Sequence, residues 1–206
     1  VIKPIYRIPD DFSDGLARVV RDGNVGFIRR DGTEIKMGVY ENSNSFSEGL
    51  ALAIKGGKAG YIATSGEWSI QPRFQYGSSF RFGLAVARDS DRYGIISKGG
   101  QWLTAPRYRS EPRILDSQTI LFFEDGKAGL ADTAGRELVE PVYDGIIQYE
   151  GLYRVVFGDR YGWMTREGRP LTFTEADIKL AARESADRQA KAEQAKRDEE
   201  ARKREE

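Results

Sequence analysis

Residues 46–66 read Phe46-Ser47-Glu48-Gly49-Leu50-Ala51-Leu52-Ala53-Ile54, then Lys55-Gly56-Gly57-Lys58, then Ala59-Gly60-Tyr61-Ile62-Ala63, and close on Thr64-Ser65-Gly66. Leu50 to Ile54 and Gly60 to Ile62 read as two strands, because their apolar run is short and bounded by turn residues. The Gly56-Gly57 pair between them reads as a hairpin turn, where both central residues need positive φ and glycine supplies it without a Cβ clash. A third short strand is expected around Ile70, beyond the turn at Gly66. The preceding stretch agrees: Leu16 to Val20, Val25 to Arg29 and a piece around Ile35 are separated by Asp22-Gly23 and Asp31-Gly32.

The agreement is a period. Glycine makes up 23 of 206 residues, well above the usual share, and the glycines are in register. Gly26, Gly60, Gly94, Gly129 and Gly162 follow one another at 34, 34, 35 and 33 residues, and Gly32, Gly66, Gly100, Gly135 and Gly168 repeat those intervals six residues later. Phe12-Ser-Asp-Gly-Leu-Ala, Phe46-Ser-Glu-Gly-Leu-Ala and Phe80-Arg-Phe-Gly-Leu-Ala keep the same spacing, and Gly151-Leu152 recovers the phrase in the last copy. A third mark is proline followed two residues later by an aromatic: Pro4 with Tyr6, Pro72 with Phe74, Pro106 with Tyr108 and Pro141 with Tyr143. Tyr40 keeps the aromatic where Gly38 replaces the proline. Both glycine columns read as geometry rather than chemistry, since glycine inside a strand marks a bulge or a close backbone approach. The aromatic columns read as core, because a unit this small must share its apolar face with its neighbours.

A unit reading Phe-x-x-Gly-Leu-Ala, Lys-x-Gly-aromatic-Ile, a turn glycine and then Pro-x-aromatic resembles the WG-repeat family of bacterial proteins. The resemblance covers residues 1–173. The family's Trp-Gly step stands here as Val25-Gly26, Ala59-Gly60, Tyr93-Gly94, Ala128-Gly129 and Tyr161-Gly162, and copy four departs further, with Gln118-Thr119-Ile120 in place of Gly-Leu-Ala. The resemblance implies a β-rich repeat module that binds something and brings no catalytic residue with it.

The expected fold is therefore an all-β tandem repeat of five units of about 34 residues, a twisted hairpin stack of β-solenoid type, with a closed five-bladed propeller as the alternative. Pro4 to Tyr6 could supply the element that copy five lacks and so close a ring; against that, 34 residues are few for four strands per blade. The units are set at residues 1–9 (partial), 10–43, 44–77, 78–112, 113–146 and 147–173. Residues 174–206 form a second region. There Thr174-Glu-Ala-Asp opens like a capping box, and glycine and proline vanish. This reads as one helix with 10 acids and 9 bases from Glu175 onward, paired at four-residue spacing as in Glu175 with Lys179, Glu193 with Arg197 and Glu199 with Lys203. Only Ile178 and Leu180 could anchor it, so a coiled-coil seam is not expected.

Composition narrows the chemistry. Lys plus Arg equals Asp plus Glu at 32 each, which removes the general attraction to nucleic acid. Neither end carries the apolar run of a spanning helix or signal peptide, so membrane insertion is not expected. The start at Val1 rather than Met is read as a processed or trimmed chain. With no Cys and no His, disulfides, thiol nucleophiles, imidazole bases and most metal sites are excluded, and neither a cofactor nor a metal is expected. Close carboxylates at Asp10-Asp11, Asp89 with Asp91, and Glu124-Asp125 read as turns, since no stretch has the regular oxygen spacing of a calcium loop. The lack of Cys suits an oxidising compartment, so the bacterial periplasm or secretion is the expected location.

Three columns remain as candidate binding residues. Lys58, Arg92, Lys127 and Arg160, with Asn24 in the first copy, would stack into a basic row two residues before the strand glycine. Trp68 and Trp102 share one phase, and Arg73 and Arg107 another; both types are enriched at interface hot spots, and aromatic faces also suit sugar rings. The expected function is a non-catalytic protein-binding or scaffold module, an immunity- or inhibitor-type binder being one form. The alternative is a glycan-binding module of a cell-envelope protein. No oligomeric state is read from the sequence.

Overall fold

The computed structural model describes residues 5–7 and 10–205. Pro4 lies outside the described residues, and so do the side chains of Glu199 and Lys203. The chain folds into antiparallel sheets in sequence order. The first holds β1 (Leu16–Arg21), β2 (Asn24–Arg29) and β3 (Glu34–Tyr40) in that order. The second runs β4 (Asn42–Ser43), β5 (Leu50–Lys55), β6 (Lys58–Ala63) and β7 (Trp68–Phe74). The third repeats this with β8 (Tyr76–Gly77), β9 (Leu84–Asp89), β10 (Arg92–Ser97) and β11 (Trp102–Tyr108). The fourth keeps the order with β12 (Arg113–Ile114), β13 (Thr119–Glu124), β14 (Lys127–Asp132) and β15 (Glu137–Tyr143). The fifth has β16 (Gly145–Tyr149), β17 (Leu152–Phe157) and β18 (Arg160–Thr165), after which α1 (Glu175–Glu205) runs as one helix.

Thirty-four residues thus do hold four strands, contrary to the expectation from length. The economy lies in the first strand of each sheet, two residues long in β4, β8 and β12. The tight links are turns with two left-handed residues, such as Asp22 (φ 51°) with Gly23 and Gly56 with Gly57. The Phe-x-x-Gly-Leu-Ala phrase is a second hairpin turn: Glu48 takes φ 55° ahead of Gly49, while Ser47 and Leu50 exchange backbone hydrogen bonds of 2.9 and 3.2 Å. Turn is tied to turn along the chain. Asp14 Oδ2 accepts from the Gly49 N–H at 2.7 Å, and Glu48 Oε2 accepts from the Gly83 N–H at 2.8 Å.

The ends complete sheets locally. Arg7 N–H donates to the Val20 carbonyl at 2.8 Å, adding the N-terminal segment to β1, and Tyr6 packs with Phe12 and Met37 against Ala17, Val19 and Ile28. The segment considered for closing copy five therefore serves copy one. Copy five forms its own edge at residues 170–172, where Met164 bridges Pro170 and the Leu171 N–H donates to the Trp163 carbonyl at 2.8 Å. The helix cap is the one anticipated: Thr174 N–H donates to Asp177 Oδ2 at 2.8 Å, and Asp177 N–H donates back to Thr174 Oγ1 at 3.3 Å.

Contacts divide the chain into two compact units, Val1–Phe122 with Ala131–Arg136, and Phe123–Leu130 with Glu137–Glu206. In the first unit, β5 and β9 are buried on both faces. Ala51 and Ala53 pack with Leu16, Phe27, Ile35 and Tyr40 of the first sheet, whereas Leu50 and Leu52 pack with Phe80, Ala85, Ala87 and Ile96 of the third. Leu84 and Val86 in turn meet Ile120, Phe122 and Ala131. A strand covered on both faces must be apolar at every position, which is why these strands read as runs rather than alternations. In the second unit β17 alternates: Tyr153, Val155 and Phe157 are buried, and Leu152, Arg154 and Val156 are half-exposed.

Candidate interaction surface

The glycine columns are structural. A Cβ on Gly60 would stand 2.6 Å from the Ile70 carbonyl oxygen and 2.7 Å from the Pro72 nitrogen, where β7 bulges over β6. In the turn column, Gly100 sits at φ +80° and its missing Cβ would fall 3.0 Å from Ile70 Cγ2 of the preceding repeat.

The two tryptophans pack into repeat junctions. Half-buried Trp68 meets Tyr40 edge-on at 5.5 Å between centroids, and half-buried Trp102 meets Phe74 in the same way at 5.4 Å. Arg73 and Arg107 are exposed at one edge yet tied forward at the other. Arg73 Nη2 donates to the Gly100 carbonyl, and Arg107 Nη1 donates to the Gly135 carbonyl at 2.8 Å. Copy one has Val39 at this phase, and there the Tyr40 hydroxyl donates to the Gly66 carbonyl at 2.5 Å instead. Burial, helped by the Glu67 carboxylate, pushes the Tyr40 phenol up to about 12, and burial raises Tyr61 as well. Both phenols are therefore neutral hydrogen-bond donors at pH 7, Tyr61 donating to the Ser78 carbonyl at 2.7 Å.

The basic row does not stand as one free stripe. Lys58 is exposed at its hairpin tip, but Arg92 Nη1 donates to the Arg107 carbonyl at 3.2 Å. Lys127 pairs with Asp144 at 2.5 Å, and Arg160 pairs with Glu184 of α1 at 3.2 Å.

A different surface emerges on the fifth sheet. Strand pairing aligns Ile147 with Arg154 and Arg154 with Trp163, Tyr149 with Leu152, and Val156 with Tyr161, so these side chains share one face. Tyr161 is 71% exposed, Tyr149 45% and Ile147 43%, while Leu152, Arg154, Val156 and Trp163 are half-exposed. Tyr149 and Trp163 meet edge-on at 5.3 Å, and the Arg154 guanidinium lies 5.7 Å from the Tyr149 ring centroid. Its Nε is buried and has no hydrogen-bond partner. Sequence columns missed this face because it has no counterpart in the other copies. Arg154 stands where copies two and three carry Leu52 and Val86, but Arg18 holds the same position in copy one, so the cation alone did not single the face out.

A family profile described as a WG containing repeat matches residues 26–58, 60–92 and 129–161, each match opening on a strand glycine. No curated protein matches the chain. Similar solved structures include Hsv2 of Kluyveromyces lactis, with a TM-score of 0.47 and 6% identity over 76% of this chain and 58% of that one. Another is PorZ of Porphyromonas gingivalis, described as an essential bacterial surface component of the type-IX secretion system (TM-score 0.39, 8% identity, 85% of this chain and 27% of that one). A third is a protein of unknown function from Bacteroides caccae, with a TM-score of 0.32 and 12% identity over 82% of each chain. The chain spans 58% of the Hsv2 chain and about a quarter of PorZ. Among the described residues, no helix is long and apolar enough to cross a membrane.

Proposed function

This chain belongs to the WG-repeat family, and from that premise we propose that it is a non-catalytic protein-binding or scaffold module that works through the outer face of its fifth sheet. The observation that carries the reading is the cluster of Ile147, Tyr149, Tyr161 and Trp163 around Arg154 on that face. Exposed aromatic and arginine side chains set among aliphatic ones are the composition of protein interface centres. The other candidate side chains support it by contrast. Trp68, Trp102, Arg73 and Arg107 hold successive repeats together, and three of the four basic-row residues, Arg92, Lys127 and Arg160, have partners within the fold.

The glycan alternative drew on Trp68 and Trp102, whose rings are engaged edge-on with Tyr40 and Phe74. Sugar recognition also uses carboxylates and amides beside a ring, whereas the fifth-sheet face presents aliphatic neighbours. An inhibitor-type binder is one concrete form of the protein-binding reading. The absence of Cys supports placing it in the periplasm or among secreted proteins, which cell fractionation with an antibody to the chain tests directly.

The test of the binding role immobilises the full chain and passes an extract of its source over it, beside a Tyr149→Arg, Tyr161→Arg double variant. Tyr161 is 71% exposed, whereas Tyr149 also touches Trp163 and Arg154, so the single Tyr161→Arg variant is run alongside and each variant is compared with the wild type by circular dichroism and urea midpoint first. Proteins retained by the wild type and lost by the variant support the reading; equal retention by both, or none by either, refutes it.

A further inference from the structure

We propose that the junction of the first and second sheets is a small-molecule site, a cleft that takes a neutral sugar. It lies within the first compact unit and shares no residue with the fifth-sheet face.

The repeats supply their own comparison. At the junction of the second and third sheets, Leu52 and Tyr61 pack with Phe80, and the Tyr61 hydroxyl closes this end by donating to the Ser78 carbonyl at 2.7 Å. A Cβ on Gly77 would stand 2.7 Å from that hydroxyl oxygen and 2.8 Å from Leu52 Cδ1, so there is no room here for a side chain. Thirty-four residues earlier, the positions of Leu52, Tyr61 and Gly77 are held by Arg18, Phe27 and Ser43. A guanidinium replaces the leucine, the sealing hydroxyl is gone, and a serine stands where glycine was required. The first junction opens at this place into a cleft of about 600 Å³, with Asp10, Arg18, Asn42, Ser43, Asn44 and Ser45 in its lining. That volume falls within the roughly 300–1,000 Å³ of small-molecule sites.

Two buried polar atoms of this lining, the Ser43 hydroxyl oxygen and Arg18 Nε, have no hydrogen-bond partner among the described residues. Ser43 is only 5% exposed. Buried polar atoms are nearly always paired, and a bound molecule that supplies the missing partners accounts for both. The groups around them are already held in place. Arg18 Nη2 donates to Asn42 Oδ1 at 3.1 Å, and the Ser43 N–H donates to the same oxygen at 2.9 Å. Ser45 Oγ donates to Asp10 Oδ2 at 2.5 Å, and Asn44 Nδ2 donates to Ser79 Oγ at 3.2 Å. Polar groups fixed before binding lower the cost of ordering a ligand among them.

The lining selects the ligand class. Its one acid, Asp10, and one base, Arg18, leave it without net charge. An anion would meet the carboxylate, a cation would meet the guanidinium, and an apolar molecule would bury amides and hydroxyls unpaired. The Asp10 carboxylate only accepts, Arg18 only donates, and Asn42 and Asn44 do both. The matching ligand offers donors and acceptors side by side without charge, as neighbouring ring hydroxyls of a sugar do. Phe46, the aromatic residue of the lining, is buried, so no ring is offered for stacking and the affinity rests on hydrogen bonds alone.

Ligand-observed NMR titration of the 206-residue chain tests this, with the methyl glycosides of glucose, galactose, mannose and N-acetylglucosamine as probes and inorganic phosphate and glycine as charged comparisons. At least one glycoside is expected to bind, with a Kd on the order of 1 mM. The triple variant Arg18→Leu, Phe27→Tyr, Ser43→Gly installs the residues that seal the next junction, and is expected to weaken binding at least about tenfold with circular dichroism unchanged. Asn42→Ala alters an exposed residue and leaves the core intact; it is expected to weaken binding about three- to tenfold, and decides the matter if the triple variant does not fold. Leu103→Arg, at an exposed position of the third sheet, binds as the wild type does. Titration with the matching disaccharide tells the end of a glycan, which binds more tightly than the glycoside, from a free sugar, which does not. A wild type that binds none of the glycosides overturns the proposal. So does binding that either folded cleft variant leaves unchanged, or that Leu103→Arg abolishes. Phosphate or glycine bound in place of the glycosides, and lost in the triple variant, would assign the cleft to a charged ligand and also overturn it.

Discussion

Arg107 reaches into the next repeat and donates through Nη1 to the carbonyl oxygen of Gly135 at 2.8 Å. Arg73 makes the same reach to Gly100 one repeat earlier. A guanidinium forking over a turn carbonyl fixes the spacing of successive turns, which a single flexible ammonium does less well. Arg107→Ala should lower stability by about 1 kcal/mol, the modest worth of a partly solvated charged hydrogen bond. Arg107→Lys should recover less than half of that loss. Urea midpoints of the three proteins decide it; an alanine variant as stable as the wild type would show the contact to be incidental.

Gly60 and Gly57 make a matched pair for the two uses of glycine. The strand glycine faces the backbone of β7 at 2.6 to 2.9 Å from where a Cβ would sit, whereas Gly57 has open space but φ +67°. Gly60→Ala should cost more than about 3 kcal/mol, because backbone cannot move aside as a side chain can. Gly57→Ala should cost about 1 kcal/mol, the strain of a left-handed alanine. Comparable losses in thermal or urea unfolding would contradict the bulge geometry.

Acid should loosen the turn ladder through Glu48. Burial pushes its carboxyl up, but the Gly83 N–H and the Lys98 ammonium outweigh this and hold it below the usual range. A carboxyl depressed in the folded state adds stability that is complete above its ordinary value and is lost as pH falls through the folded one. Glu48→Gln should therefore destabilise at pH 7, by about half a kcal/mol given its partial exposure, and make no difference near pH 3. A penalty that is the same at both pH values would remove the charge from the account.

Alkali works in the opposite sense. Burial pushes the Tyr40 and Tyr76 phenols up to about 12, with the Glu67 carboxylate beside Tyr40 and the hydrogen bond to Glu111 at Tyr76. A raised phenol stabilises fully below its unfolded value near 10, and this stability disappears as pH rises toward 12. Absorbance at 295 nm should show a late group of tyrosines that ionise as the chain unfolds, and Tyr40→Phe should remove one of them. Ionisation of every tyrosine near pH 10, with native circular dichroism retained, would contradict this.

The repeat was legible because its marks are geometric necessities. Gly60 must clear a bulge, Gly100 must turn left-handed, and Tyr40, Phe74 and Tyr108 must fill a junction, so each recurs at fixed spacing. The two-residue strands β4, β8 and β12 were not legible, since so short a pairing leaves no alternation to read. Nor could the column of Arg73 and Arg107 reveal its partners, because an exposed edge and a contact to a backbone carbonyl 28 residues away leave the same sequence trace. The fifth-sheet face escaped for a further reason. A cation in the middle of a strand does not by itself mark an open face: Arg18 occupies that position in copy one and reaches Asn42 Oδ1 of the second sheet at 3.1 Å.

The division between residues that hold the repeats and residues that bind is tested most directly by one paired comparison. The 206-residue wild type, Tyr161→Arg and Arg107→Glu are each measured for urea midpoint and for retention of the proteins that the wild type captures. The account predicts that Tyr161→Arg keeps the midpoint and loses retention, while Arg107→Glu lowers the midpoint and, where still folded, retains them. Loss of retention with Arg107→Glu at an unchanged midpoint, together with full retention by Tyr161→Arg, would contradict it.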